Sequence, residues 1–405
     1  MKKYDNYKNS GVEWLGEIPE HWEALSNKFI FNLNKNLVGK KSSEYDLLSL
    51  TLNGVIKRDM ENPQGKFPAE FDTYQEVKRG DFIFCLFDVE ETPRTVGLSD
   101  FDGMITGAYT VMQVNKNFDK SFLYYFYLNL DAGKRMKPLY TGLRNTISKD
   151  NFFSFKTFVP PIQEQTAIAN FLDEKTTKID QAIAIKQQQI ALLQERRQIL
   201  IHKAVTRGLN ENVKLKDSGV EWIGEIPEHW EVKKVKHFGN IKSGESVVNS
   251  LLTDSGIYEV FGGNGNMGFY NKFNVEGAKI IIGRVGAYCG NVRLINEKKW
   301  ISDNALILTL NNNELYNYIS ILLESGNLNN LNSSNAQPLI TGTKVLNFSI
   351  PIPPKDEQKE IVKFIETATT KIATAISLKE QEIEKLKEYK MSLIDGVVTG
   401  KVKVC

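Results

Sequence analysis

At 405 residues, with 25% charged and 10% aromatic side chains, the chain has the make-up of a soluble globular protein with room for two to four domains. Lys and Arg number 51 against 49 Asp and Glu, which excludes a bulk cationic coat for nucleic acid; a DNA binder with this balance must concentrate its positive charge locally. The three cysteines, Cys85, Cys289 and Cys405, form no C-x-x-C pair, and the four histidines form no H-x-x-x-H pair, so neither a disulfide framework nor a zinc site is expected. With no long apolar run and no apolar leader at the start, the sequence reads as cytoplasmic with no membrane contact.

The first element met along the chain is SGVEWLGEIPEHWE at 10–23, and it returns as SGVEWIGEIPEHWE at 218–231, with only Leu15 and Ile223 differing. A second repeat, VPPIQEQTAIANFLDEKTTKID at 159–180, aligns with IPPKDEQKEIVKFIETATTKIA at 352–373. The stretches between, about 24–158 and 232–351, show no obvious similarity to each other. The chain is therefore a duplication, with similar frames around dissimilar middles, as one scaffold presenting two recognition surfaces would be. Trp14, Trp22, Trp222 and Trp230 in the repeated box read either as anchors onto module or helix, or as part of a partner interface.

The first middle opens on a Gly turn before a short apolar run, EVKRGDFIFCLFD (76–88), typical of a buried strand, and KSFLYYFYLNL (120–130) predicts a helix. Its end is basic: Lys134, Arg135, Lys137, Arg144, Lys149 and Lys156 stand against Asp150. Each second repeat then opens a long helix at its Pro-Pro pair. Leu172, Thr176, Ile179, Ile183, Lys186, Ile190, Leu193, Arg197, Leu200 and Ala204 step in alternating fours and threes. The matching series is Ile365, Thr369, Ile372, Ile376, Lys379, Ile383, Leu386, Lys390, Leu393 and Val397. Two apolar seams matching position for position favour mutual pairing over two unrelated surface helices, and in a pseudo-twofold molecule the natural pairing is antiparallel. The lysines and arginine within the seams can pack their stems and send their charges outward.

In the second middle, EGAKIIIGRVGAYCGNVRLI (276–295) gives two strand-like runs around Gly-rich turns, ISDNALILTL (301–310) a further strand and ELYNYISILLES (314–325) a helix. Gly263, Gly265 and Gly268 spell G-x-G-x-x-G, and EVFGGNG (259–265) mimics a box of S-adenosylmethionine enzymes. The continuation FYNKFNVEG is a poor helix, however, and neither Pro-Pro pair carries the flanking amide or acid and aromatic of an adenine methyltransferase. A self-sufficient methyltransferase is thus the weaker alternative, and no cofactor is expected in this chain. Both middles lean positive, with 18 bases against 16 acids over 24–158 and 11 against 8 over 232–351, while the frame leans negative. Lys272, Arg284, Arg293 and Lys344 sit in or beside Gly-, Asn- and Thr-rich loops. Arg reads guanine edges, Lys holds phosphate, and Asn264 and Asn266 suit adenine edges; any single one of these also reads as a solvated surface charge or amide.

The order G-E-I-P-x-H-W box, divergent middle, P-P-x-x-E-Q at the head of a coiled-coil helix, occurring twice, resembles the specificity subunit of type I restriction–modification systems. Within the middles, VFGGNGNMGFYNKFNVEGAKIIIGRVGAYCGNV and WISDNALIL are similar to a common target-recognition domain of that family, and LYTGLRNTISKDNFFSFKTFVPP and ITGTKVLNFSIPIPP to its usual exits. The resemblance implies an α+β architecture: two α/β target-recognition domains separated by two long helices that form an antiparallel coiled coil. On that reading, residues 1–158 hold the first recognition domain, 159–207 the first helix, 208–351 the second recognition domain, and 352–405 the second helix and tail. It also implies a non-catalytic subunit for phage defence that reads a bipartite, asymmetric double-stranded DNA target. Two methylation subunits would bind S-adenosylmethionine, and two restriction subunits would bring ATP and Mg.

Overall fold

The repeated features take shape as short elements whose side chains alternate between two cores. The computed structural model describes residues 2–60, 71–286, 288–332 and 338–404. Among them six α-helices form: α1 (Lys120–Ala132), α2 (Lys149–Ser154), α3 (Ile162–Arg207), α4 (Tyr316–Ser325), α5 (Gly342–Leu346) and α6 (Lys355–Val398). Two compact units emerge, Met1–Ile185 with Gln381–Cys405, and Lys186–Glu380. Both divisions fall inside the long helices, so each unit owns one end of α3 and one end of α6. The sequence boundaries had given each helix a segment of its own.

In the first unit, strands Phe31–Leu33, Phe82–Phe84, Val96–Leu98 and Thr110–Val114 make an antiparallel sheet in the order first–fourth–second–third. Successive side chains on a strand point to opposite faces. Accordingly Phe82 and Phe84 enter the large core that contains Phe122 and Phe126 of α1, while Ile83 faces a smaller cluster with Leu48 and Val55. The strand Lys156–Val159 then leaves the module by pairing with its entry strand Glu23–Ser26.

The second unit repeats this plan from an unlike sequence. Strands Gly239–Ser243, Lys279–Gly283, Val292–Ile295 and Ala305–Leu310 form an antiparallel sheet, again in the order first–fourth–second–third. Ile280 and Ile282 face the core shared with α4, and Ile281 faces a separate cluster with Ile301 and Ile307. A helix follows the fourth strand, a short helix follows that, and Ser349–Ile352 exits against Glu231–Lys234. The two middles with no visible sequence similarity therefore share one topology. They differ in what is added: a hairpin Leu48–Thr51/Gly54–Lys57 in the first, and a hairpin Tyr258–Gly262/Gly265–Tyr270 in the second.

Every seam position expected from the repeat is buried or half-buried: Leu172, Ile179, Ile183, Ile190, Leu193 and Leu200 on α3, and Ile365, Ile372, Ile376, Ile383, Leu386 and Leu393 on α6. The direction of pairing is readable inside each unit. In the first, the early residues Leu172, Ile179 and Ile183 share a core with the late residues Leu386, Leu393 and Val397. In the second, the late residues Leu200, Ile201 and Ala204 share a core with the early residues Ile361 and Ile365. The two helices are antiparallel. Among the described residues, no helix is long and apolar enough to cross a membrane.

Candidate nucleic-acid interface

The basic end of the first module is divided by its hydrogen bonds into residues turned inward and residues left outward. The buried Asp131 at the end of α1 accepts from the backbone and hydroxyl of Thr95, and Lys134 Nζ closes on it at 3.0 Å. Arg135 donates to Asp395 of α6 at 2.8 Å, and its guanidinium lies 4.6 Å from the ring centre of Trp14. Both residues knit the fold, because charges in a half-buried setting are held where they find partners. Lys137 is more exposed and pairs with Glu90 at 2.8 Å.

Arg144 is placed differently. The short hairpin Tyr140–Thr141/Thr146–Ile147 turns through Gly142 at φ +69° and Asn145 at φ +45°, and its tip lifts Leu143 fully into solvent with Arg144 exposed beside it. Lys149, in the first turn of α2, is also exposed. Neither Arg144 nor Lys149 forms an ion pair among the described residues. Beneath the tip the field is acidic: burial first, then the charges of Glu90, Asp131 and Glu91, push the Tyr140 phenol up to about 12.

In the second module the Gly-rich segment is a β-hairpin, and strand rather than helix follows Gly268. The strand–turn–helix cradle of a dinucleotide site is not what these glycines build. They permit close packing instead. Gly263 lies against the backbone of Arg284 and Asn304, and Gly265, at φ +120°, lies against the guanidinium of Arg293. Arg293 donates to Asn264 O at 3.0 Å, and Arg284 donates to Ser243 Oγ at 3.2 Å. The fold thus gathers Asn264, Asn266, Arg284 and Arg293 around one end of the hairpin, beside the exposed Met267, Val285 and Tyr288. Lys272 falls beyond its other end. Lys344, in the middle of the short α5, sends its Nζ to Leu331 O at 2.7 Å.

The frame holds a site that sequence reasoning left out. Glu164, in the P-P-x-x-E-Q turn of α3, accepts from Trp22 Nε1 at 3.1 Å and lies 2.7 Å from His21 Nε2. Glu357 of α6 does the same with Trp230 Nε1 at 2.9 Å and His229 Nε2 at 2.7 Å. The neighbouring Gln165 and Gln358 each donate to a proline carbonyl, at 2.8 Å in both copies. The two repeats are therefore the two halves of one clamp, box against helix start. Trp22 and Trp230 are fully buried within it, while Trp14 and Trp222 are half-buried against Arg135 and Phe348. The signal was present, since both glutamates sit at one position of the repeat, but nothing in the spacing says that they face the H-W pair.

Comparison with known proteins bears on the same features. The profile of the family described as type I restriction modification DNA specificity domain matches residues 95–195 and 227–388, one region for each module with adjoining helix. A putative type I restriction enzyme specificity subunit of Methanocaldococcus jannaschii is 25% identical over 99% of this chain and 98% of its own. A second from that organism is 25% identical over 72% of each chain. Among solved structures, a chain from work on assembly and conformational transition of the type I R-M system superposes with a TM-score of 0.68 at 15% identity, covering 95% of this chain and 99% of its own. The HsdS subunit of Thermoanaerobacter tengcongensis gives 0.51 at 15% identity, over 95% and 98%. With the duplicated topology, the paired helices and a family match over most of its length, this chain belongs to the type I restriction–modification DNA specificity family.

Proposed function

We propose that the chain is the DNA-reading subunit of a type I restriction–modification enzyme, with each module reading one half of a bipartite, asymmetric target, and that it performs no chemistry itself. What supports this most is one sheet topology built twice from unlike sequences on like frames. A constant scaffold with variable loops is what two different sequence readers on one chain require. The surfaces best suited to DNA are the tip carrying Arg144 with nearby Lys149, and the hairpin end carrying Asn264, Asn266, Arg284 and Arg293. Lys272, Lys137 and Lys344 are assigned to phosphate. Lys134 and Arg135 support the first surface from within. The frame, repeated almost unchanged, serves two copies of a methylation subunit that binds S-adenosylmethionine. Two restriction subunits complete the assembly with ATP and Mg.

The test is exchange of residues 232–351 for the corresponding module of another specificity subunit, followed by methylome sequencing of a host that also expresses the methylation partner. One half-site is expected to change and the other to persist. A change in both halves, or in neither, overturns the two-reader assignment, and methyl transfer to duplex DNA by the purified chain alone overturns the non-catalytic one.

A further inference from the structure

The two clamps are alike in their Glu, His and Trp and unlike in what fills the space beside them. In the first, Glu164 has a third partner: Tyr4 donates its hydroxyl to Glu164 Oε1 at 2.7 Å. The Tyr4 ring stands edge-on to Trp22 and tilted on His21, at centroid distances of 6.4 and 5.7 Å, and the residue is only 8% exposed. In the second clamp, the position matching Tyr4 in the repeat is Asn212, which is exposed. There a cavity of about 380 Å³ opens, lined by Gly208, Asn210, Val213, Pro227, His229 and Glu357.

The walls correspond. Pro227, His229 and Glu357 repeat Pro19, His21 and Glu164, and Gly208 ends α3 at φ +73° as Gly400 follows α6 at φ +75°. A Cβ on either glycine would lie within 3.5 Å of the neighbouring indole, Trp230 or Trp22, so in both copies a glycine packs close over the clamp tryptophan. The Glu357 side chain is 38% exposed where Glu164 is 14%. A carboxylate has about four acceptor positions, and His229 and Trp230 leave room on Glu357 for one more donor.

We propose that this second clamp is an open receptor for a tyrosine side chain presented by a partner polypeptide. The first clamp shows the occupant that these walls accept, a phenol whose hydroxyl meets the carboxylate and whose ring packs on indole and imidazole. Charge narrows the partner further. Glu360 stands where the first clamp has Ala167, adding a second carboxylate to the lining, while Arg207 on the same wall is engaged by Glu225 at 3.2 Å. The acidic cavity therefore selects a tyrosine with basic neighbours, and Tyr4 itself follows Lys2 and Lys3. This inference does not rest on the DNA reading, and its test contains no DNA.

The full chain with ¹⁵N-labelled tryptophan is titrated with a blocked peptide of the sequence of residues 2–6, and the indole N–H resonances are followed. The Trp230 resonance is expected to shift saturably while Trp22, whose clamp is filled, stays in place. The same peptide with phenylalanine for tyrosine, or the intact peptide on a Glu357→Gln chain, is expected to bind about tenfold more weakly, because a hydrogen bond to a charged acceptor is lost or weakened. In a Tyr4→Ala chain, Trp22 is expected to respond as well. No shift of Trp230 in the unaltered chain overturns the proposal, the more so if Trp22 answers in the Tyr4→Ala chain. Binding of p-cresol as tight as that of the peptide also overturns it, since the site would then serve a free phenol.

Discussion

Lys390 on α6 meets both carboxylate oxygens of Asp180 on α3, at 2.8 and 2.7 Å, across 210 positions of sequence. Lys390 is a seam residue whose stem packs between the helices while its charge leaves the seam. The pair marks the antiparallel register of the first unit, but with side chains 28% and 56% exposed it adds little to stability. Lys390→Ala is therefore expected to cost less than about 1 kcal/mol, and Leu172→Ala, in the apolar core of the same unit, about 2–5 kcal/mol. Urea unfolding of the two variants checks the ordering.

Each clamp buries a tryptophan completely and gives its indole N–H one acceptor. Trp22→Ala and Trp230→Ala are each expected to cost about 3–5 kcal/mol. Glu164→Ala is expected to cost about 1–3 kcal/mol from the orphaned Trp22 donor alone. Thermal unfolding of the three variants decides this; a Glu164→Ala chain as stable as the parent would show the clamp to be idle.

Arg144 and Arg284 stand on the two proposed DNA surfaces. If either reads a base, its replacement by Ala is expected to cost about 1–3 kcal/mol of binding and to relax one base position. If it holds phosphate, affinity falls evenly across sequences and the salt slope shrinks by about one unit. Fluorescence titrations at several salt concentrations separate the outcomes. Unchanged affinity in both variants removes these residues from the interface.

Burial works to raise the Asp395 carboxyl, but hydrogen bonds from Arg135 and Lys401 and their charges prevail and hold it below the ordinary carboxylate range. A carboxyl lowered in the folded state stabilises that state above its unfolded value of about 4, and this contribution disappears as pH falls through the folded value. Asp395→Asn is accordingly expected to melt below the parent at pH 7, with the gap closing on acidification below about pH 4. Melting curves from pH 7 to 3 test the sign.

The seams were legible because a period of seven survives any change of surface residues, and both long helices start at their Pro-Pro pairs as the sequence predicts. The common topology of the modules was not legible. Its sheet strands are three to six residues long, as in Phe82–Phe84, and alternation over so few positions carries no signature of order in a sheet. The basic run from Lys134 looks like a surface in the sequence because the acid that engages Arg135 is remote: Arg135 finds Asp395 260 positions away. Lys134 finds Asp131 only three positions back, but that aspartate is buried by a fold that the local sequence does not reveal.

The near-identity of the two clamps has a consequence for synthesis. Box 10–23 fits the start of α3, and nothing in its own residues distinguishes that partner from the start of α6, which carries the same Glu-Gln pair. Wrong pairing of this kind is a characteristic hazard of internally repeated chains, but translation orders the encounter. Glu357 leaves the ribosome 193 residues after Glu164, which at 5–20 residues per second is a delay of roughly 10–40 s. During that interval His21 and Trp22 have one carboxylate to find. By the time the second appears, the first box is already occupied. A chain refolded from denaturant has no such interval, and its two boxes must choose between both helix starts at once.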